Sequence, residues 1–169
     1  VFNLLGPLCN PAQATHQLIG TYSEELRPAM ASALVGLGVK AAWVVRSEDG
    51  LDEISPFGPT RVSVLSNGRV DEGVVTPEDF GLLRSPAGAI DGGDPQRNAG
   101  ILREVLSGAP HAARGALVLN AAAGLAIAKD LRLQDAAALA EKMLDSGKAR
   151  ETLETWKTVA KAKAPGVAS

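Results

Sequence analysis

The segment that organises the fold is VVRSEDGLDEIS, residues 44–55, in which a short apolar run leads into a turn carrying four carboxylates. Residues 41–45 are apolar, are rich in valine and follow a helical pattern that ends near Gly38. This pattern predicts a buried parallel strand. The acidic residues then lie beyond the carboxyl end of that strand, which is the edge where open α/β sheets bind ligands.

Within this turn, Asp52 and Glu53 are the candidate metal ligands. Neighbouring side chains diverge on regular structure, but both can face one side in a turn that begins at Gly50. Mg²⁺ is usually held by one or two carboxylates, with water and substrate phosphates completing its octahedron. Two interpretations are therefore open: a solvated acidic turn, or the site of a magnesium-phosphate ligand.

The composition is that of one folded domain, since the chain has 169 residues, of which 46% are hydrophobic and 21% charged. A net charge of -2 and a pI near 5.7 argue against nucleic-acid binding as the main activity. The single cysteine, Cys9, excludes an intramolecular disulfide and a cysteine-based zinc cluster, and the cytoplasm is the expected location. No apolar run approaches the roughly 20 residues that cross a bilayer, so no membrane association is expected.

The patterns along the chain predict an α/β fold with a partial mixed sheet that is packed by a helical carboxyl-terminal half. A strand at residues 17–22, a helix capped by Ser23 and the strand at residues 41–45 make a parallel βαβ unit. Alternating runs on either side of Asn67-Gly68 predict an antiparallel hairpin at the edge of the sheet. Further helices are expected near residues 95–106, 117–128, 131–144 and 149–162, and residues 164–169 read as a flexible tail.

Three other features have more than one interpretation. The rigid proline-containing loop at residues 2–12 is either a packed connection or a ligand-lining segment. Gly92-Gly93-Asp94 either caps a helix that begins with Pro95 or binds an anion there. Asn120 lies among apolar residues, so it is expected to be a buried side chain with a local hydrogen-bond partner.

Six ordered segments resemble anthranilate phosphoribosyltransferases. They are FNLLGPLCNP (2–11), QLIG (17–20), GLDEIS (50–55), TPEDFG (76–81), GGDP with NA (92–95 and 98–99), and LNAA (119–122). Any one of them alone is weakly specific, but the six together occur in the order and spacing of that family and run along nearly the whole chain.

The resemblance implies an enzyme of tryptophan biosynthesis that joins anthranilate to phosphoribosyl pyrophosphate (PRPP) and releases pyrophosphate. It implies Mg²⁺ as cofactor, with the metal-binding Asp-Glu pair of the family falling on Asp52 and Glu53. It also implies the nucleoside phosphorylase class of fold, in which a small helical domain accompanies a large α/β domain. Because anthranilate carries an aromatic amine of low basicity, no residue of this chain is assigned as a catalytic base.

The same resemblance places Gly6, Pro7 and Asn10 in a segment that lines the anthranilate channel, which makes them candidate substrate-binding residues. Two departures from the family pattern are local. Cys9 stands where threonine is usual, and Arg46-Ser47 replaces a frequent His-Gly. Both leave the Asp52-Glu53 pair intact.

Residues 1–163 correspond to the carboxyl-terminal portion of the large α/β domain, so the small helical domain and the glycine-rich PRPP loop of the family would precede Val1. We therefore expect this chain to be inactive alone and to form a homodimer when the helical domain is present. Two alternatives stay open. One is a non-catalytic relative that binds nucleic acid or protein, and the other is a pyrimidine nucleoside phosphorylase, which shares the fold.

Overall fold

The structure is a computed structural model, and it describes residues 6–163. The predicted tail at residues 164–169 lies outside the described residues. The elements follow in the order β1 (His16–Gly20), α1 (Leu26–Gly36), β2 (Ala41–Ser47), β3 (Thr60–Ser66), β4 (Arg69–Val75), a 3₁₀ turn (Pro77–Phe80), α2 (Pro95–Leu106), α3 (Arg114–Lys129), α4 (Leu133–Asp145) and α5 (Lys148–Lys163).

The sheet has four strands in the order β1-β2-β3-β4. β1 and β2 run parallel, with Gly20 opposite Val45, whereas β3 pairs antiparallel with both of its neighbours. Asn67 and Gly68 join β3 to β4 with positive φ angles of 51° and 74°, as a two-residue type I′ turn requires. The predicted mixed sheet, with its βαβ unit and its edge hairpin, is therefore confirmed.

Helices cover both faces of this sheet, because the strands present apolar side chains in both directions. On one face, α1 packs Met30, Ala31 and Leu34 against Ala42 and Val44. On the other face, α3 packs against β1 and β2, and α4 packs in turn on α3 and on the 3₁₀ turn that carries Phe80. The result is a three-layer arrangement in which α3 lies across the parallel pair of strands.

The start of α1 differs from the prediction. β1 ends at Gly20 rather than at residue 22, and the helix begins at Leu26, with Glu25 in the N-cap position and no side-chain capping bond. The main-chain N–H of Ser23 donates to Oγ1 of Thr21 at 3.3 Å. Ser23 therefore belongs to the turn between strand and helix, and its prediction as N-cap is wrong.

The carboxyl-terminal helices agree with the sequence patterns. Asp94 caps α2 by accepting a hydrogen bond from the N–H of Arg97 at 2.8 Å, and Pro95 is the first helical residue. The apolar helix expected at residues 117–128 forms the buried core of α3. Among the described residues, none of the helices is both long and apolar enough to cross a membrane.

A buried arginine fixes α1 to the edge of the sheet. Arg27 is only 5% exposed, and its guanidinium donates to Oγ of Ser63 at 2.6 Å and to the carboxylate of Glu72. Its other edge forms a paired contact with both carboxylate oxygens of Glu24. The hydrogen bond with Glu24 raises the pKa of Arg27, and the same bond lowers the pKa of Glu24.

Replacing Arg27 with alanine should destabilise the fold. We expect a loss of about 2 kcal/mol in the free energy of unfolding, because Arg27→Ala leaves Ser63 and Glu72 without their cation. The loss stays below that of a fully buried ion pair, since the side chains of Glu24 and Glu72 are 46% and 50% exposed. Urea denaturation followed by circular dichroism measures it.

The matched control is Arg61→Ala on β3, where the arginine is 52% exposed and lies 3.5 Å from Glu48. This variant should change the free energy of unfolding by less than about 0.5 kcal/mol. Equal losses in the two variants would contradict a special role for Arg27.

Candidate functional site

Asp52 and Glu53 lie together at the carboxyl ends of the parallel strands. Both line a cleft of about 280 Å³ whose other walls are Leu18, Gly20, Val45 and Asn120. Both residues are exposed, and none of the ion pairs in the described part of the chain involves either of them. The turn thus presents two unpaired carboxylates to one cleft, at the edge of the sheet that the sequence indicated.

Gly20, the last residue of β1, packs directly against the main chain of this turn. The main chain of Asp52 lies so close to Gly20 that an added Cβ would stand 1.5 Å from the Asp52 carbonyl oxygen. No side chain fits in that space, so only glycine allows the turn to pack on the end of β1. Sequence reasoning missed this contact, although an isolated glycine at the end of a strand is a known sign of close backbone approach.

Asp49 connects the two ends of the turn. Its carboxylate accepts hydrogen bonds from the hydroxyls of Ser47 and Ser55 and, at 3.4 Å, from the N–H of Leu51. Burial alone would raise the pKa of Asp49, but these hydrogen bonds outweigh burial and lower the pKa below its ordinary value. Asp49 is therefore part of the scaffold of the turn.

Arg46 ties the same turn to the sheet. One of its guanidinium nitrogens donates to the carbonyl of Gly50 at 3.1 Å and to that of Thr21 at 3.4 Å. The hydroxyl of Ser47 also lies 3.0 Å from the carbonyl of Leu51. Both residues that depart from the His-Gly pattern of the resembled family therefore hold the turn in place.

Asn120 fixes the second half of the turn from α3. Its Oδ1 accepts from the N–H of Ile54 at 3.0 Å, while its Nδ2 donates to the carbonyl of Ile54 at 3.0 Å and to that of Ala116 at 3.1 Å. Ala116 is the local partner that the sequence predicted, but Asn120 is half-buried and not buried as expected, because it lines both clefts of the site. The prediction was incomplete, because Ile54 lies 66 residues away and no local pattern reveals it.

A second cleft of about 350 Å³ adjoins the first and shares Glu53 and Asn120 with it. Its walls come mainly from apolar residues of α2, α3 and the preceding loop, among them Ala89, Ile101, Val105, Ala113 and Leu117. Glu53 therefore stands at the boundary between a polar cleft and an apolar one.

The donors of the first cleft fit Mg²⁺, because they are two unpaired carboxylates on a turn held by its main chain. Mg²⁺ prefers oxygen ligands and takes one or two carboxylates together with substrate phosphates. Within residues 6–163, no group of three or more His, Cys, Asp or Glu side chains could hold a metal. A metal at Asp52 and Glu53 would consequently depend on oxygen atoms from water and a phosphorylated ligand.

The structure places the candidate substrate residues elsewhere. Residues 6–8 are helical, with Gly6 exposed and Pro7 half-buried. Asn10 is exposed, accepts from the N–H of Ala12 at 3.0 Å, and lines a cleft with Thr15 and Val39 at the amino ends of β1 and β2. Asn10 and the carboxylate pair thus lie at opposite ends of the parallel strands, and the channel role of Gly6, Pro7 and Asn10 stays a prediction.

Gly20→Ala should destabilise the protein by about 1–3 kcal/mol, because the turn must move to make room for the added methyl group. Urea denaturation measures the loss. Gly124→Ala is the matched control, since a Cβ on Gly124 of α3 meets no atom within 4 Å. We expect this control to be stabilising by about 0.5–1 kcal/mol, and a loss of stability in the control comparable to that of Gly20→Ala would contradict the packing explanation.

The lowered pKa of Asp49 predicts a specific response to acid. The stabilisation by ionised Asp49 is complete above the ordinary aspartate pKa of about 3.9 and is lost as the pH falls through the lower pKa of the folded state. Asp49→Asn should therefore lower the free energy of unfolding at neutral pH and flatten its decline below about pH 4. Denaturation curves from pH 7 to pH 3 measure both effects.

Asp71→Asn, which changes an exposed carboxylate on β4, is the control and should decline in parallel with the wild type. Parallel curves for Asp49→Asn and the wild type would show that the hydrogen bonds to Asp49 add no pH-dependent stability.

Comparisons with known proteins agree with the resemblance seen in the sequence. Residues 1–150 match the model of the glycosyl transferase family, a/b domain. The anthranilate phosphoribosyltransferase of Lactiplantibacillus plantarum is 49% identical over 154 residues, which is 90% of this chain and 45% of that protein. The chain thus spans about half the length of the curated relatives it matches.

Two solved structures share the fold. The anthranilate phosphoribosyltransferase of Thermus thermophilus superposes with a TM-score of 0.82 at 39% identity, over 92% of this chain and 46% of that one. The enzyme of Saccharomyces cerevisiae in complex with PRPP and Mg superposes with a TM-score of 0.81 at 30% identity, over 90% and 45% of the two chains. With the family model matching most of its length, this chain belongs to the glycosyl transferase family and forms part of its α/β domain.

Proposed function

We propose that this chain is the carboxyl-terminal part of an anthranilate phosphoribosyltransferase that acts in tryptophan biosynthesis. The observation that carries the proposal is the pair Asp52 and Glu53, which line one cleft beyond the carboxyl ends of β1 and β2. The substrates are PRPP and anthranilate, and the cofactor is Mg²⁺. The proposal is supported by the relatives, which are about twice as long and are anthranilate phosphoribosyltransferases.

In this reaction the anomeric carbon of the ribose becomes electron-poor as pyrophosphate leaves, and the amine of anthranilate forms the new bond to it. Asp52 and Glu53 would hold the metal ion. When bound, Mg²⁺ would stabilise the negative charge of the departing pyrophosphate. We assign no residue of this chain as a base, since the aromatic amine is weakly basic and, once it has formed the new bond, loses its proton readily to water.

The contribution of the chain itself is orientation. Gly20, Arg46 and Asn120 hold the main chain of the turn at three points, so the two carboxylates are positioned before a ligand arrives. Prior positioning lowers the entropic cost of bringing charged groups together in the transition state. Apolar residues line the cleft beside Glu53, so this side of the metal site has low polarity.

Gly6, Pro7 and Asn10 remain our candidates for contact with anthranilate, and Asn10 lies at the amino ends of β1 and β2, at the opposite end of these strands from the carboxylate pair. We also propose that the complete enzyme is a cytoplasmic homodimer and that this chain alone is inactive. The acidic composition supports the absence of a role in nucleic-acid binding.

The proposal is tested by joining the amino-terminal half of the Lactiplantibacillus plantarum relative to Val1 and following the loss of anthranilate fluorescence. We expect turnover that requires both PRPP and Mg²⁺, and none from this chain alone. In the joined protein, Asp52→Asn combined with Glu53→Gln should lower kcat/KM by at least about a hundredfold, because a bound metal ion supplies several kcal/mol in such reactions.

Asp71→Asn, in the same joined protein, should keep the wild-type rate and serves as the control. Phosphate-dependent cleavage of a pyrimidine nucleoside without anthranilate transfer would contradict the proposal in favour of a nucleoside phosphorylase. Salt-dependent retention of DNA with neither activity would favour a binding relative.

A further inference from the structure

The hydrogen bonds of Asn120 act on the peptide groups next to a proposed metal ligand. The N–H of Ile54 belongs to the peptide group that joins Glu53 to Ile54, and the carbonyl of Ile54 belongs to the next one. Asn120 binds both, at 3.0 Å each. Since a peptide group is planar, these two bonds fix the backbone of Ile54 and one of the two peptide planes that flank Glu53. The other plane carries the carbonyl of Asp52, which lies against Gly20, so the direction in which the Glu53 side chain leaves the main chain is limited from both sides.

Asn120 is itself held in place, which makes it an effective anchor. Its third hydrogen bond goes to the carbonyl of Ala116, one turn earlier in α3. The neighbouring residue Leu119 is 1% exposed, and the side chain of Ile54 is fully buried. The amide therefore reaches the turn from a rigid helix.

The other attachments of the turn act at different points. Arg46 and Asp49 bind the first half at Gly50 and Leu51, and Gly20 lies against the carbonyl of Asp52. Asp49 also accepts from the hydroxyl of Ser55 at the end of the turn, which is a side-chain and not a main-chain contact. In the described part of the chain, the main-chain hydrogen bond at the peptide group after Glu53 is the one to Asn120.

We infer that Asn120 is a positioning residue for the metal site: it sets the backbone of Glu53 so that this carboxylate faces the same cleft as that of Asp52. The inference rests on the proposed magnesium site. It deepens that proposal by assigning a role to a helix residue whose side-chain oxygen and nitrogen are both engaged by the protein itself. Partners of this kind, one step removed from a metal, commonly change its affinity by 10- to 100-fold.

The chain contains a matched control, because Asn98, which lines the apolar cleft that Glu53 also borders, makes the same pair of bonds to a loop other than the acidic turn. Its Oδ1 accepts from the N–H of Gly93 at 2.8 Å, and its Nδ2 donates to the carbonyl of Gly93 at 3.1 Å. A general loss of loop stability should therefore follow from substitution at either asparagine. A change in metal affinity should follow only at Asn120.

The test uses this chain, with Mn²⁺ as the probe in the presence of inorganic pyrophosphate and with free Mn²⁺ measured by electron paramagnetic resonance. Asn120→Ala should raise the Kd for Mn²⁺ by about tenfold or more, whereas Asn98→Ala should change it by less than about twofold. Asn120→Leu, which keeps a larger side chain in the helix, provides a second variant, and circular dichroism verifies that each variant is folded at the temperature used.

The outcomes separate this inference from the proposal on which it rests. If Asp52→Asn with Glu53→Gln removes Mn²⁺ binding but both Asn120 variants bind like the wild type, the positioning role is refuted and the metal site stands. Equal weakening by Asn98→Ala and Asn120→Ala would also refute it. If the wild type binds no Mn²⁺, or if the Asp52 and Glu53 substitutions leave binding unchanged, the metal site and the positioning role fail together.

Discussion

The contact between the amide of Asn120 and the main chain of Ile54 joins the two halves of this chain at the point where the site is built. Ile54 follows the strands, and Asn120 belongs to the helical half, 66 residues later. Around this contact, Val118 and Leu119 of α3 pack into the same core as Val45 and Val62 of the sheet. The packing of α3 on the sheet therefore brings Asn120 to the acidic turn. The turn then presents the carboxylates of Asp52 and Glu53 to the cleft.

The four carboxylates of the turn have separate physical roles, although in the sequence they form one acidic run. Asp49 is used internally, as acceptor for Ser47, Ser55 and Leu51. Glu48 lies 3.5 Å from Arg61 on the neighbouring strand. Asp52 and Glu53 remain, exposed and in one cleft. The protein itself thus supplies partners for two of the four carboxylates, and the other two are available to a ligand.

Much of this arrangement could be predicted from the sequence, because its signals are local. The valine-rich run of β2, the Asn67-Gly68 turn and the Asp94 cap depend on short-range geometry, and the structure has all three. The Asp52-Glu53 pair could be placed at the sheet edge for the same reason.

The remainder depends on contacts between distant segments. The N-cap assigned to Ser23 was wrong, since the chain makes a turn at Thr21 before the helix begins. The support from Gly20 and the partnership of Asn120 with Ile54 arise only when β1, the turn and α3 are packed together. In the sequence these contacts appear only as a single glycine and a single asparagine, and no local pattern indicates which residue either of them contacts.

The most direct test of this account is a crystal structure of the chain with Mn²⁺ and pyrophosphate, in which anomalous scattering locates the metal. The account predicts an anomalous peak within about 2.0–2.6 Å of carboxylate oxygens of both Asp52 and Glu53, since oxygen binds Mg²⁺ at the short end of this range and Ca²⁺ at the long end. A peak bound elsewhere, or pyrophosphate bound with no metal at this pair, would contradict it.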